Sequence, residues 1–174
     1  MPEGFTAGEI SWTVEDTPGH SVTLYGTAQS VHGQLLALNP DYDEQMGTLD
    51  ARAAEGDKLN SAEVLDVLAK RDHNNCWVPA YHYAQRPPIV EGIKYLRGLK
   101  GVAGNDAWRC GQISCSYDSV IEWCNNNNFR KTIGWNDLAN AAQVIVNKCS
   151  SGSTTMGERI HDDGILVRVR RGQC

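Results

Sequence analysis

The first seventy-five residues of the 174-residue chain contain no cysteine, and all six (Cys76, Cys110, Cys115, Cys124, Cys149 and Cys174) fall in the remainder. Long apolar runs are also missing. The longest resemble Val144-Ile145-Val146, far short of the roughly 18 apolar residues that a bilayer-crossing helix needs, which excludes an integral helical membrane protein. Met1-Pro2-Glu3-Gly4 is neither basic nor followed by an apolar block, so no signal peptide is expected among these residues. The chain has no Gly-x-Ser-x-Gly, His-Glu-x-x-His or phosphate-loop motif, so the enzyme classes that those motifs announce have no support.

What is present begins with the cysteines. An even number crowded into about a hundred residues is the pattern of a disulfide framework in an oxidising compartment, although six cysteines allow 15 pairings between which the sequence does not choose. A zinc site is the weaker reading, since zinc ligands come in pairs two to four residues apart. Here the nearest pair is Cys110-x4-Cys115, with Cys124 nine residues further on. On a straight strand Cys110 and Cys115 face opposite sides, so different partners are expected for them.

Charge divides at almost the same place. Residues 1–71 hold twelve acids and four bases, a net −8, and residues 72–174 hold nine acids and twelve bases, a net +3. At the boundary stands Lys70-Arg71, the dibasic dipeptide cut by kexin-type proprotein convertases, followed by the polar stretch Asp72-His73-Asn74-Asn75. Dibasic pairs arise by chance, as Arg130-Lys131 and Arg170-Arg171 show, but only Lys70-Arg71 coincides with the change in cysteine content and the change in charge sign. The chain is therefore read as an acidic, cysteine-free prodomain, 1–71, and a cysteine-rich mature domain, 72–174. Opposite charge on a shared chain favours their association.

Periodicity predicts α+β structure in both parts. Ile10, Trp12 and Val14 alternate as in a half-buried strand, Thr17-Pro18-Gly19-His20 fits a type II turn, and Val22 and Leu24 continue a second strand. Thr27 caps a helix that Asn39-Pro40 ends. Residues 41–59 read as a loop or mobile linker, and Asn60 caps a helix whose capping box is completed by Glu63. In the second part, a helix starts at Pro87-Pro88, presents Ile89, Ile93 and Leu96 on one face, and is ended by Gly98 and Gly101. A hairpin over 108–124 turns at Tyr117-Asp118, Asn125 to Asn128 form a turn, and a helix spans about 136–149. The last strand, from Gly164, places Ile165, Val167 and Val169 on one face and Arg168 and Arg170 on the other. The expected fold is a small antiparallel sheet packed with helices and stapled by disulfides, preceded by a small α+β prodomain.

With Cys110-Gly111-Gln112-Ile113-Ser114-Cys115-Ser116-Tyr117, Ile121-Glu122-Trp123-Cys124-Asn125, a helix ending in Cys149 and a valine-rich last strand ending in Cys174, residues 76–174 resemble small secreted cysteine-rich proteins of filamentous fungi. In layout they are most similar to the killer-toxin-like and necrosis-inducing effector group. That resemblance implies a compact antiparallel sheet with helices on one face, and a prodomain removed at Lys-Arg as in fungal protoxins.

The residue pattern disfavours catalysis. A ribonuclease-like site needs a histidine and a glutamate in one cleft plus a cation, for which His161, Glu158, Glu122, Arg159 and Arg168 are the candidates. The competing reading makes His161-Asp162-Asp163-Gly164 a solvated hairpin turn and Glu122 an outward strand residue. No cofactor or metal is implied. Trp77, Tyr81, Tyr83, Trp108, Tyr117, Trp123 and Trp135 serve either a core or a ring-binding face, and a net +3 is weak for a nucleic-acid binder. Arg168, Arg170 and Arg171 form the candidate patch for an anionic surface. The sequence-level expectation is a secreted effector or toxin-like proprotein acting by binding. Its partners are its own prodomain, a kexin-type protease, and a host protein, cell-wall or membrane-surface target. A small secreted hydrolase and an uncleaved extracellular binding module are the alternatives.

Overall fold

A computed structural model describes residues 3–58 and 72–174. Lys70, Arg71 and the helix expected after Asn60 lie outside the described residues.

The fold is α+β. The order is β1 (Thr6–Ala7), β2 (Ser11–Thr17), β3 (His20–Tyr25), α1 (Ala28–Leu38), α2 (Tyr42–Met46), α3 (Leu49–Lys58), β4 (His73–Asn75), β5 (Ala84–Gln85), α4 (Arg86–Leu99) and β6 (Val102–Asn105). There follow β7 (Arg109–Ser116), β8 (Ser119–Asn125), β9 (Lys131–Gly134), α5 (Trp135–Cys149), β10 (Ser150–Ser151), β11 (Thr154–Thr155), β12 (Gly157–Ile160) and β13 (Ile165–Arg171). They build a six-stranded sheet ordered β1-β7-β8-β13-β12-β4, a four-stranded sheet ordered β3-β2-β6-β9 and a three-stranded one ordered β10-β11-β5.

Both larger sheets join the two parts of the sequence. β2 pairs antiparallel with β6, Trp12 opposite Ala103, and β1 pairs parallel with β7, Thr6 opposite Arg109. The core is equally mixed. Ile10, Trp12, Val14, Val31, Leu35 and Tyr42 belong to one buried cluster with Ile89, Leu96, Ile121, Trp123, Leu138, Ile145 and Val167. The charge asymmetry seen in the sequence is also realised: Asp57 pairs with Arg97 at 2.7 Å, and Asp50 and Glu55 of α3 pair with Lys94 and Lys100.

All six cysteines pair, as Cys76–Cys149, Cys110–Cys124 and Cys115–Cys174. Cys110 and Cys115 do take different partners. The β7–β8 hairpin turns at Tyr117 and Asp118, both with positive φ (48° and 54°), a backbone that matches the right-handed twist of the flanking strands. Thr27 caps α1 by accepting a hydrogen bond from the Ser30 amide at 3.3 Å.

Three expectations are corrected. Residues 42–46 and 49–58 are helices, not a linker. Buried Tyr42, Arg52 and Ala53 anchor them, and Arg52 donates to the Gly98 carbonyl at 2.8 Å. Gly98 lies inside α4, where an added Cβ would meet Leu49 Cδ1 at 2.3 Å, and the left-handed residue that ends the helix is Lys100, φ 50°. The polar stretch after Arg71, expected as an exposed, mobile segment that suits a protease, is not one: His73–Asn75 is β4, paired with β12.

Candidate binding cleft and buried ion-pair sites

Strand alternation sorts the candidate residues onto two faces of the six-stranded sheet. Ile165, Val167 and Val169 of β13 point into the core, so Leu166, Arg168 and Arg170 occupy the other face. Strand register then sets a polar row across five strands, Gln112, Glu122, Arg168, Glu158 and Asn75, each opposite the next. Arg168 is 1% exposed and pairs through Nη2 with Glu122. Its Nη1 donates to the Tyr81 hydroxyl at 3.0 Å, and its guanidinium stacks on the Tyr81 ring, 5.5 Å from the centroid. The Tyr81 hydroxyl donates to Glu158 Oε2 at 3.1 Å. Burial pushes the Tyr81 phenol pKa up, with Arg168 pulling against it.

Arg168 is therefore not part of an exposed patch: a buried carboxylate and an aromatic lid consume it. Arg170 is half-buried and reaches Glu122 only at 3.5 Å, while Arg171 is exposed. Those two, with His82, line a cleft of about 470 Å³ together with the apolar Val78, Ala80 and Leu166 and the carboxylate Glu158. Glu122, expected as an outward residue, does lie on the outer face but is buried by its pairing with Arg168.

His161 and Glu158 do not converge. Glu158 belongs to the outer cleft, and His161 faces a cavity of about 300 Å³ between β9, β12 and the first turns of α5. The constellation there includes residues that sequence reasoning passed over. Asp72 Oδ2 accepts a hydrogen bond from Arg159 Nη2 and lies 3.1 Å from His161 Nδ1, and Arg159 also donates to Asn74 Oδ1 at 3.0 Å. Burial lowers the His161 pKa, and the Asp72 carboxylate opposes that shift. With Nδ1 committed to a carboxylate, the neutral ring carries its lone pair on Nε2, and that atom is buried with no hydrogen-bond partner. Asp137, in the first turn of α5, stands at the cavity mouth. The protein around it pushes its carboxyl pKa up, while its side chain keeps solvent access, which limits that effect. Lys131 Nζ pairs with Asp163 Oδ2 at 2.7 Å. No local motif announces this assembly, because Asp72, Asp137 and His161 come from three distant segments.

Among the described residues no group of three or more His, Cys, Asp and Glu side chains could hold a metal ion, and no helix is long and apolar enough to cross a membrane. Comparison with known families, curated proteins and solved structures finds no match to the chain.

Proposed function

We propose that the chain is a secreted fungal effector or killer-toxin-like protein, made as a proprotein and cleaved after Lys70-Arg71, that acts by binding a target rather than by catalysis. One observation carries this reading: the three disulfides close entirely within residues 76–174. None ties residues 3–58 to them. Disulfides of this kind persist in oxidising compartments, so the staples protect the part that a cut after Arg71 would leave as the mature chain. The binding reading rests on the outer cleft, whose lining puts Arg170, Arg171 and His82 beside Val78, Ala80 and Leu166, with Glu158 already engaged by Tyr81, an arrangement suited to an anionic group on a host protein, cell wall or membrane surface. The prodomain and a kexin-type protease are the partners on the maturation route.

Digestion of the folded protein with a kexin-type protease, followed by N-terminal sequencing, tests the proposal. The expected product begins Asp72-His73-Asn74-Asn75-Cys76. A first cut after Lys131 or Arg171, or resistance at Arg71, contradicts it and favours an uncleaved two-part binding module.

A further inference from the structure

The outer cleft continues across the sheet. A second cavity of about 600 Å³ opens beside it, walled by Arg109, Gln112 and Glu122 of the sheet and by Ala7, Gly8 and Glu9 ahead of β2. Arg170 lines both cavities, and the Arg168–Glu122 ion pair joins them, Arg168 on the first side and Glu122 on the second. Together they make one groove over the outer face. Arg171 stands opposite Ser119 and Arg109 opposite Asn125, at the two ends of β8, so strand rise and spacing put their Cα atoms about 20 Å apart. A single anionic group fills only a fraction of that length.

The lining mixes guanidinium groups with hydrogen-bond acceptors. Four arginines against Glu9, Glu122 and Glu158 leave a net +1 with His82 neutral. Arg109 and Arg171 are exposed and pair with no carboxylate among the described residues, and Arg170 keeps 23% of its side-chain surface and meets Glu122 only at 3.5 Å. All three guanidinium groups are open to a ligand. Half-buried Glu158 accepts from the Tyr81 hydroxyl and has lone pairs to spare, and Gln112 donates its amide nitrogen to the Gln173 carbonyl at 2.8 Å, which leaves its Oε1 as an acceptor. Such acceptors call for O–H donors and repel a bare polyanion such as polyphosphate or nucleic acid, for which a net +1 is also weak. A ligand that carries carboxylates and hydroxyls on one chain satisfies both sets. We propose that the groove binds a linear acidic polysaccharide, a chain of uronate rings, with carboxylates on Arg171, Arg170 and Arg109 and ring hydroxyls donating to Glu158 and Gln112. This rests on the reading of the outer cleft as an anion-binding surface, and adds to it the ligand class and the second half of the site.

Calorimetric titration of the uncut protein with galacturonate and with hexagalacturonate tests the assignment. The hexamer should bind at least about a hundredfold more tightly than the monomer, since its carboxylates engage both cavities at once. Its binding should weaken in salt near 1 M, where the screening length is about 3 Å. The fully methyl-esterified hexamer keeps the rings and the length but loses the charge, so it should bind at least about tenfold more weakly. Arg109→Gln and Arg171→Gln should each weaken the hexamer by about fivefold or more. Both change exposed side chains, so the thermal transition should not move. If the hexamer binds no more tightly than the monomer and Arg109→Gln changes nothing, the extended groove is wrong while the anionic reading of the outer cleft stands. If no anion binds, or the methyl ester binds as tightly as the acid, that reading falls with it. Tighter binding of linear polyphosphate or of a single-stranded oligonucleotide than of hexagalacturonate overturns the polysaccharide assignment.

Discussion

At the scale of single residues, the charges that matter most are the ones removed from water. Arg168 and Glu122 are both buried on the outer sheet face and are each other's main charged partner. Truncating Arg168 leaves the buried Glu122 carboxylate only the longer Arg170 contact at 3.5 Å, and loss of the main partner of a buried charge costs about 3–5 kcal/mol. Arg168→Ala should therefore lower unfolding stability by that order in urea titration, and Arg168→Met combined with Glu122→Leu should lose far less than Arg168→Ala. Equal losses would show that packing against Tyr81, and not charge, dominates. A second expectation concerns pH. The folded state holds the His161 pKa below its ordinary value of 6.5, so the unfolded chain takes up a proton first as pH falls. Stability is thus lost as pH drops through that ordinary value toward the lowered one. Asp137 has the opposite sign: its raised folded pKa adds stability as pH falls toward the ordinary carboxylate range, by a small amount given its solvent access. His161→Gln should flatten the first slope and Asp137→Asn the second when denaturation midpoints are compared across pH. A His161→Gln profile parallel to the parent's contradicts the assignment.

Among the elements, legibility followed periodicity. α4, α5, the β7–β8 hairpin and β13 were readable because their apolar residues recur at helical or strand spacing, and the Tyr117-Asp118 turn falls where the hairpin needs it. α3 was not, because Leu49–Lys58 is rich in charge and alanine and carries no apolar stripe. Its partners are the basic face of α4 and the Gly98 carbonyl, which no local window contains. β6 and β9 escaped for a related reason: they are short strands whose only identity is their pairing. Of the candidate sites, the arginine strand was visible as alternation, but the burial of Arg168 was not, since it depends on Glu122 and Tyr81 from other segments. The α3–α4 contact is itself testable. Gly→Ala in a helix interior normally gains about 0.5–1 kcal/mol, yet at Gly98 the new methyl would meet Leu49 Cδ1 at 2.3 Å. Gly98→Ala should destabilise by about 1–3 kcal/mol through overpacking, and adding Leu49→Ala should relieve part of that loss in thermal unfolding. A stabilised Gly98→Ala protein would mean that α3 does not pack closely on α4.

For the whole molecule, covalent and non-covalent organisation follow different boundaries. The disulfides treat residues 76–174 as the unit. The hydrophobic core does not, because Trp12, Val14, Val31 and Leu35 are buried among residues of α4, α5 and the six-stranded sheet. The opposite charges of the two parts meet in the ion pairs of Asp50, Glu55 and Asp57 with Lys94, Lys100 and Arg97, but those carboxylates are exposed and contribute little apiece. Apolar burial, at about 25 cal/mol per Å², is the main attachment. Salt near 1 M, which shortens the screening length to about 3 Å, should therefore leave cut halves together. The most direct measurement is mass analysis of protein cut after Arg71, under native and then denaturing conditions without reductant. A single particle of about 19.1 kDa is expected in native conditions at both low and high salt, resolving on denaturation into fragments 1–71 and 72–174, the second with its disulfides intact. Separation of the fragments under native conditions, or a covalent link that survives denaturation, would contradict it.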